Sequence, residues 1–293
     1  MAIVCDVPPY CPLKCALLER FFQGVFSDLG LKEKSRVQQT SLLHPPSVVQ
    51  VFNPAFLQSR LRGPEWMDEP GANAEHLRKS LRYLRRINGF LRYTRSTLSH
   101  LERFSRRWRR GETIRILDVA TGSADLPRAI LKWAKGRGFD VRVVGVDLHA
   151  MTARAAGADN AVRIVQANAM QLPFADGSFD YATTSLFLHH LDEADVVKVL
   201  AEMGRVTGRG VIVGDLLRHR RAYFWVNILT SLANPMVRHD GRISVAQAFK
   251  REEIIALRDQ AGISFASYHR HFGHRFVLAG ERSSQKSEEF EHG

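Results

Sequence analysis

The chain has 293 residues, 45% of them hydrophobic and 25% charged, the balance of an ordinary globular protein, neither disordered nor built of apolar spans. Three cysteines, Cys5, Cys11 and Cys15, all fall in the first fifteen residues; an odd number with none in the body argues against a disulfide framework, and their spacing matches no metal or iron–sulfur pattern. The net charge is +12, and its placement matters more than its size, because twelve lysines and arginines between Arg78 and Arg110 face the single acid Glu102.

Residues 1–60 combine short apolar pieces with Pro45-Pro46 and polar stretches, without sustained periodicity, and are expected to form a poorly ordered extension. Asp6, Pro8 and Pro9 interrupt any apolar core near the start and no basic start precedes them, so no secretory signal is visible and a cytoplasmic location is the default. From Leu77 onward, Leu81, Leu84, Ile87, Leu91, Leu98, Leu101 and Trp108 recur at helical spacing, with a break expected at Asn88-Gly89. One face of these helices packs and the other is densely cationic. That face reads as a solvated surface, as a contact for anionic membrane lipid, as a nucleic-acid face or as a site for an anionic small molecule. Tyr83, Phe90, Tyr93 and Phe104 resemble helix packing more than a base-stacking platform.

The most informative segment is Ile116-Leu117-Asp118-Val119-Ala120-Thr121-Gly122-Ser123-Ala124-Asp125. An apolar run ends in a carboxylate, and a turn of small residues leads into a helix over Leu126–Lys135, the joint a parallel sheet makes where its backbone approaches a nucleotide-like ligand. Ala120 and Ala124 stand where a dinucleotide fingerprint would have glycines. A carboxylate at the strand tip repels a pyrophosphate and suits S-adenosylmethionine (SAM), which carries an ammonium and a sulfonium and no phosphate. Val141–Asp147 is a second run ending in an acid, placed to accept hydrogen bonds from a vicinal diol. A third run, Val162–Asn168, ends in an amide. Pro173 and Asp176-Gly177-Ser178 lead to a fourth strand over Tyr181–Leu188, a helix ends at Leu200–Val206, Gly208–Gly210 turns the chain, and Val211–Asp215 forms a fifth strand. Short apolar strands alternating with helices predict an α/β fold with a doubly wound, mostly parallel sheet.

In these pieces the chain resembles the class I SAM-dependent methyltransferases, in the style of the small-molecule group that includes the ubiquinone/menaquinone C-methyltransferases. The resemblance rests on residues 118–127, 143–148, 167–181, 188–191 and 200–215. It implies a Rossmann-like, seven-stranded sheet with an N-terminal helical cap, and SAM as cofactor. It also implies that Asp118, Gly122 and the backbone around Ala120 and Thr121 hold the methionine end. Asp147 would bind the ribose, Leu148 would pack on the adenine, Asn168 and Ala169 would address the adenine edge, and Leu186 or His189 would lie near the methyl donor. The group more often has aspartate where Asn168 stands, but an amide carbonyl still accepts from an adenine amino group.

His189 and His190 follow the fourth strand at the ligand-binding edge, where either is a candidate base or a packing residue, and Asp215 at the tip of strand five is a third candidate. Ala222–Val237 is a sixteen-residue stretch without charge, too short to span a membrane and placed where such enzymes insert substrate-covering helices. Arg238–Arg242 reads as a polar turn facing the same pocket, and His269, His271 and His274 fall near a hairpin between the last two strands, with no metal site assigned. The organisation expected is therefore an extension (1–60), a basic helical cap (61–110), a methyltransferase domain (111–281) with a covering insertion (218–245), and a disordered tail (282–293). The expected activity is methyl transfer from SAM to oxygen or carbon of a hydrophobic small molecule, such as a quinone precursor, polyketide phenol or lipid-like ring, with peripheral contact to an anionic membrane surface. An RNA or protein methyltransferase docking through the basic helices, and a SAM-binding scaffold without turnover, are the alternatives.

Overall fold

A computed structural model describes residues 57–63, 65–67, 83, 87, 93–148 and 162–283, all within the compact unit spanning 44–293. The expected break at Asn88-Gly89, most of the 1–60 extension and nearly all of the tail lie outside the described residues. The core is a seven-stranded sheet of order β3-β2-β1-β4-β5-β7-β6. Its strands are β1 (Thr113–Val119), β2 (Asp140–Asp147), β3 (Arg163–Gln166), β4 (Phe179–Ser185), β5 (Thr207–Leu216), β6 (Ser267–His271) and β7 (Arg275–Glu281). The first five run parallel, and β7 pairs antiparallel with both β5 and β6. The chain winds outward from β1 in one direction and from β4 in the other, so the switch point lies at their carboxyl ends, where open α/β sheets bind ligands.

Six described helices cover the sheet: α1 (Tyr93–Ser105), α2 (Asp125–Arg137), α3 (Glu193–Arg205), α4 (Arg220–Thr230), α5 (Pro235–Gln247) and α6 (Arg251–Gln260). α1 buries Thr97, His100, Leu101 and Phe104, spaced at three and four residues. Leu101 and Phe104 pack with Ile114, Ile116, Ile130, Tyr181 and Ile212, joining α1 and α2 on one face. Each fully buried side chain of this size contributes about 2 kcal/mol, so α1, expected as part of a cap, is part of the core. Val199, Leu200 and Met203 of α3 and Ile254 and Leu257 of α6 fill the opposite face. With both faces covered, β4 and β5 are buried almost throughout, the buried hydroxyls of Thr183 and Thr184 in β4 being hydrogen-bonded to β1.

Several boundaries differ from the sequence expectations. Gly208–Gly210 is not a turn: α3 passes at Val206 straight into β5, and Gly210 lies so close to the Gly280 carbonyl that a side chain there would collide with it. The fourth strand stops at Ser185 instead of Leu188, because Leu186 takes φ 53° and Leu188–His190 coil into a 3-10 turn. Arg238–Arg242 is helical, not a turn. Asn234 accepts from the Val237 amide, Pro235 opens α5, and the helix runs through the polar residues. Ala222–Val237 is thus two helices, α4 and the start of α5. Leu57 and Arg60, expected in a poorly ordered extension, contact this helix pair instead: Leu57 is buried with Ala222, Tyr223 and Val245, and Arg60 donates to the Gln247 carbonyl.

Candidate active site

The turn after β1 adopts a left-handed conformation at three alternate residues, Ala120 (φ 55°), Gly122 (φ 51°) and Ala124 (φ 56°). These are the positions where glycine is easiest, and alanine at two of them stores backbone strain at the site. A Cβ built on Gly122 would meet nothing within 4 Å, so the turn presents its backbone to open space. Asp118 is buried beneath it, 3% exposed, accepting from the hydroxyls of Thr121 (2.8 Å) and Thr183 (2.7 Å). Burial pushes its carboxyl up to about 6 against the pull of those two bonds. Gly145 of β2 makes room for Thr121, whose side-chain atoms lie 2.9 Å from where a Cβ would stand.

At the tip of β2, Asp147 accepts from the Gly122 amide at 2.9 Å, and Leu148 beyond it is 59% exposed. Asn168 is exposed after β3, and its Oδ1 accepts from the Met170 amide at 2.9 Å, so its first task is to close a turn that carries Ala169. The strand tips therefore bring Asp118, Ala120, Thr121, Gly122 and Asp147 into one cradle, with Leu148, Asn168 and Ala169 along its rim. Two carboxylates with open backbone at a switch point form a donor and acceptor set that fits a cationic nucleoside bearing a diol, and not a pyrophosphate.

The second half of the site is built by the 3-10 turn. His189 is 4% exposed; its Nδ1 lies 2.6 Å from Asp215 Oδ1, and its backbone N–H donates to Asp215 Oδ2 at 3.1 Å. Burial works to raise the Asp215 carboxyl, but the neighbouring His189 and its hydrogen bonds hold it below the usual carboxylate range. An ionised carboxylate only accepts, so Nδ1 donates to Asp215, and Nε2 is turned to the side of Glu65. His190, exposed, lies tilted against the His189 ring at 4.3 Å between centroids.

Glu65 carried no signal in the sequence and is nevertheless central. It is 5% exposed, with Oε1 3.9 Å from His189 Nε2 and a hydrogen bond from the Ser244 hydroxyl. Burial raises its carboxyl above the usual range, against the pull of His190 and His189. Glu65, His189 and His190 also bring one ligand atom each within 4.8 Å of one another, the one group of this kind among the described residues, and could ligate a metal ion. Arg60 braces the turn: Nη2 donates to the carbonyls of His189 (2.9 Å) and Leu191 (2.6 Å), and its guanidinium lies over Phe249.

These groups open onto a cavity of about 770 Å³, lined among others by Leu186, Leu216, Trp225, Val226, Leu229 and Val245. α4 and α5 form much of one wall, and the hairpin between β6 and β7, with His271, Phe272 and His274, forms another. Such a size and lining suit a small apolar ligand with one polar end. His269 lies outside this lining; it stacks near His100, whose Nε2 is 3.0 Å from His271 Nε2. His190 and Leu186 reach the cavity wall, and Asp215, absent from that lining, bonds to His189.

Comparison with known proteins assigns the class. Residues 116–210 match the family described as "Methyltransferase domain", and the chain carries a class I SAM-dependent methyltransferase domain, a class whose methyl donor is SAM. Within that class it is distantly homologous to the quinone C-methyltransferases. It is 39% identical over 103 residues to the demethylmenaquinone methyltransferase of Geobacillus stearothermophilus, covering 33% of this chain and 42% of that one. It is 34% identical over 98 residues to the ubiquinone/menaquinone biosynthesis C-methyltransferase UbiE of Rickettsia prowazekii, covering 31% and 39%. The chain thus spans less than half the length of these relatives. The plantazolicin methyltransferase BamL, solved with a triazolic desmethylPZN analog and SAH, shares the fold, with a TM-score of 0.54 at 16% identity over 70% of this chain and 73% of that one.

Proposed function

We propose that the protein transfers the methyl group of SAM to a hydrophobic small molecule held in the cavity beneath α4 and α5. The observation that carries this reading is two unlike sites at the carboxyl ends of neighbouring strands. A polar cradle at Asp118–Gly122 and Asp147 stands at the tips of β1 and β2, and an apolar cavity is lined by Leu186 and His189 just beyond the tip of β4, the strand paired with β1. The domain class supplies the donor chemistry, an activated methyl on a sulfonium. Asp147 would bind the ribose, Asp118, Ala120, Thr121 and Gly122 the methionine end, and Leu148, Asn168, Ala169 and Leu186 the adenine and the approach to the methyl. The protein aligns the acceptor in line with the donor and excludes water. His189, fixed by Asp215, takes the acceptor's proton, and His190 closes the same wall.

Docking of RNA or protein through residues 106–110, the end of the basic run, fits less well, whereas Ile87 earlier in that run lines the cavity. Arg106, Arg107, Arg109 and Arg110 are exposed but adjoin the start of β1. A strand of seven residues separates that edge from the site by about 20 Å. The cavity mouth instead exposes Trp225 and Phe272. Ile228 continues the Trp225 face of α4 at helical spacing, exposed Leu232 follows in the turn after the helix, and exposed Arg220, Arg221 and Arg270 stand nearby. Apolar and cationic groups together favour an anionic lipid surface as the acceptor's source. No described helix is long and apolar enough to cross a membrane.

The test is to incubate the protein with methyl-labelled SAM and, separately, an organic-solvent extract of cells and total RNA. Label in the extract supports the reading. Label only in RNA supports docking through the basic helices, and SAM binding with label in neither pool indicates a scaffold.

A further inference from the structure

We infer that Glu65, His189 and His190 form a site for one divalent cation of the zinc class, opening on the cavity. Each offers one ligand atom, and the three atoms lie within 4.8 Å of one another. Two ligands of a tetrahedral zinc ion, each about 2.1 Å from it, stand about 3.4 Å apart. Glu65 Oε1 and His189 Nε2 are 3.9 Å apart, so closing that pair takes about 0.5 Å. His190 is exposed, and its ring reaches the ion by side-chain rotation alone. The ligands come from two distant places in the chain. Glu65 belongs to the segment bonded to α5, and the two histidines are consecutive in the 3-10 turn after β4.

The surroundings of these side chains are those of metal ligands. Asp215 Oδ1 lies 2.6 Å from His189 Nδ1, and Oδ2 accepts from the His189 amide at 3.1 Å. A carboxylate on one ring nitrogen fixes the imidazole and aims the other nitrogen at an ion. Arg60 holds the carbonyls of His189 and Leu191, which keeps the turn in place. The Ser244 hydroxyl donates to Glu65, and Asp240 accepts from the amides of Trp66 (2.8 Å) and Met67 (3.1 Å) just beyond it. Glu65 is 5% exposed, and among the described residues its ion-pair partner is His189, with no lysine or arginine paired to it. A carboxylate is costly to bury without a cation, and an ion held between it and two imidazoles supplies one. Two imidazole nitrogens with one carboxylate oxygen favour zinc, cobalt or iron(II) over magnesium and calcium, which prefer oxygen throughout. Three protein ligands leave a fourth position, and all three residues line the cavity, so that position faces it. An ion on His189 Nε2 occupies the atom that would take the acceptor's proton. Resting on the reading of His189 as the base, the bound ion therefore inhibits methyl transfer.

The experiment titrates the full chain, saturated with S-adenosylhomocysteine, with Zn2+ against a chromogenic chelator and with Co2+, whose absorption reports its donor atoms. Wild type should take up one equivalent of Zn2+, and bound Co2+ should show nitrogen and oxygen donors without thiolate charge-transfer bands. Glu65→Gln and His190→Ala should each weaken that equivalent by about a hundredfold or more, and Asp215→Asn, which removes only an outer partner, by about tenfold or more. His100→Ala, which alters the separate group of His100, His269 and His271, should bind as wild type does. Equal S-adenosylhomocysteine affinity in all of them reports an intact fold. No Zn2+ uptake by wild type, affinity undiminished in Glu65→Gln and His190→Ala, or thiolate bands assigning the ion to Cys5, Cys11 and Cys15 would overturn the site. One equivalent of Zn2+ should also lower label transfer from SAM into the organic extract by about a hundredfold, the scale of a lost base, and a chelator should restore it. Undiminished transfer with the ion bound would overturn the inhibition and His189 as base, with the site standing. No label in the extract from ion-free protein would overturn the reading of the cavity, again with the site standing.

Discussion

Asp147 at the tip of β2 accepts a hydrogen bond from the Gly122 amide at 2.9 Å, so the second strand-tip acid and the turn after β1 form one unit. Asp147→Ala should therefore weaken SAM binding by roughly 1.5–3 kcal/mol, the scale of a lost charged hydrogen bond. Asp147→Asn, which keeps an acceptor for Gly122, should lose less. Calorimetric titration distinguishes them; unchanged affinity in Asp147→Ala would remove Asp147 from the ribose contact.

The left-handed alanines make a second prediction. Ala120→Gly relieves strain at φ 55° and should stabilise the protein by up to about 1 kcal/mol, after the added freedom of the unfolded chain is subtracted. Ala124→Gly should gain nothing net, because its methyl is fully buried beside Val162. Urea unfolding of the two variants measures the contrast, and equal shifts would argue against strain as its cause.

Asp118 gives a pH signature. Burial raises its carboxyl to about 6. Between about pH 4 and 6 the folded state holds a proton that the unfolded chain has released, so through this group stability falls as pH rises and stays reduced above 6. Asp118→Asn removes the titration. Its stability relative to wild type should climb by up to about 3 kcal/mol across that window. Lost hydrogen bonding would add only a constant offset, so a difference flat with pH contradicts the assignment.

Asp215 holds the His189 ring with Nδ1 at 2.6 Å. Asp215→Asn presents a donor as readily as an acceptor there, allowing the ring to turn or change tautomer. Methyl transfer should fall by about a hundredfold or more while SAM affinity stays within about twofold. A variant with wild-type turnover would show that His189 is a packing residue.

Much of this was legible in the sequence because it is local. Asp118 and Asp147 end apolar runs, and strand-tip acids announce themselves without knowledge of partners. The glycine segment at 208–210 misled because glycine at a turn and glycine at a close strand crossing look alike; the carbonyl of Gly280, seventy residues away in β7, decides between them. The polar run at 238–242 misled in the same way, since the helix it continues is set by Asn234 and Pro235 upstream. Glu65 was invisible: it reaches the site through Asp240 and Ser244, residues well over a hundred positions away, and nothing in its own neighbourhood is periodic. His189 and Asp215 were each legible as candidates, but their pairing depends on the adjacency of β4 and β5.

The central claim is that the cavity beneath α4 and α5 receives the methyl acceptor. Val226 lines it from α4, an element distinct from the strand tips that would hold SAM. Val226→Trp should fill the cavity, lowering label transfer from SAM into the organic extract by about tenfold or more, the factor a lost 1.4 kcal/mol of acceptor binding carries, with SAM affinity unchanged. Undiminished transfer in a folded Val226→Trp variant would place the acceptor elsewhere.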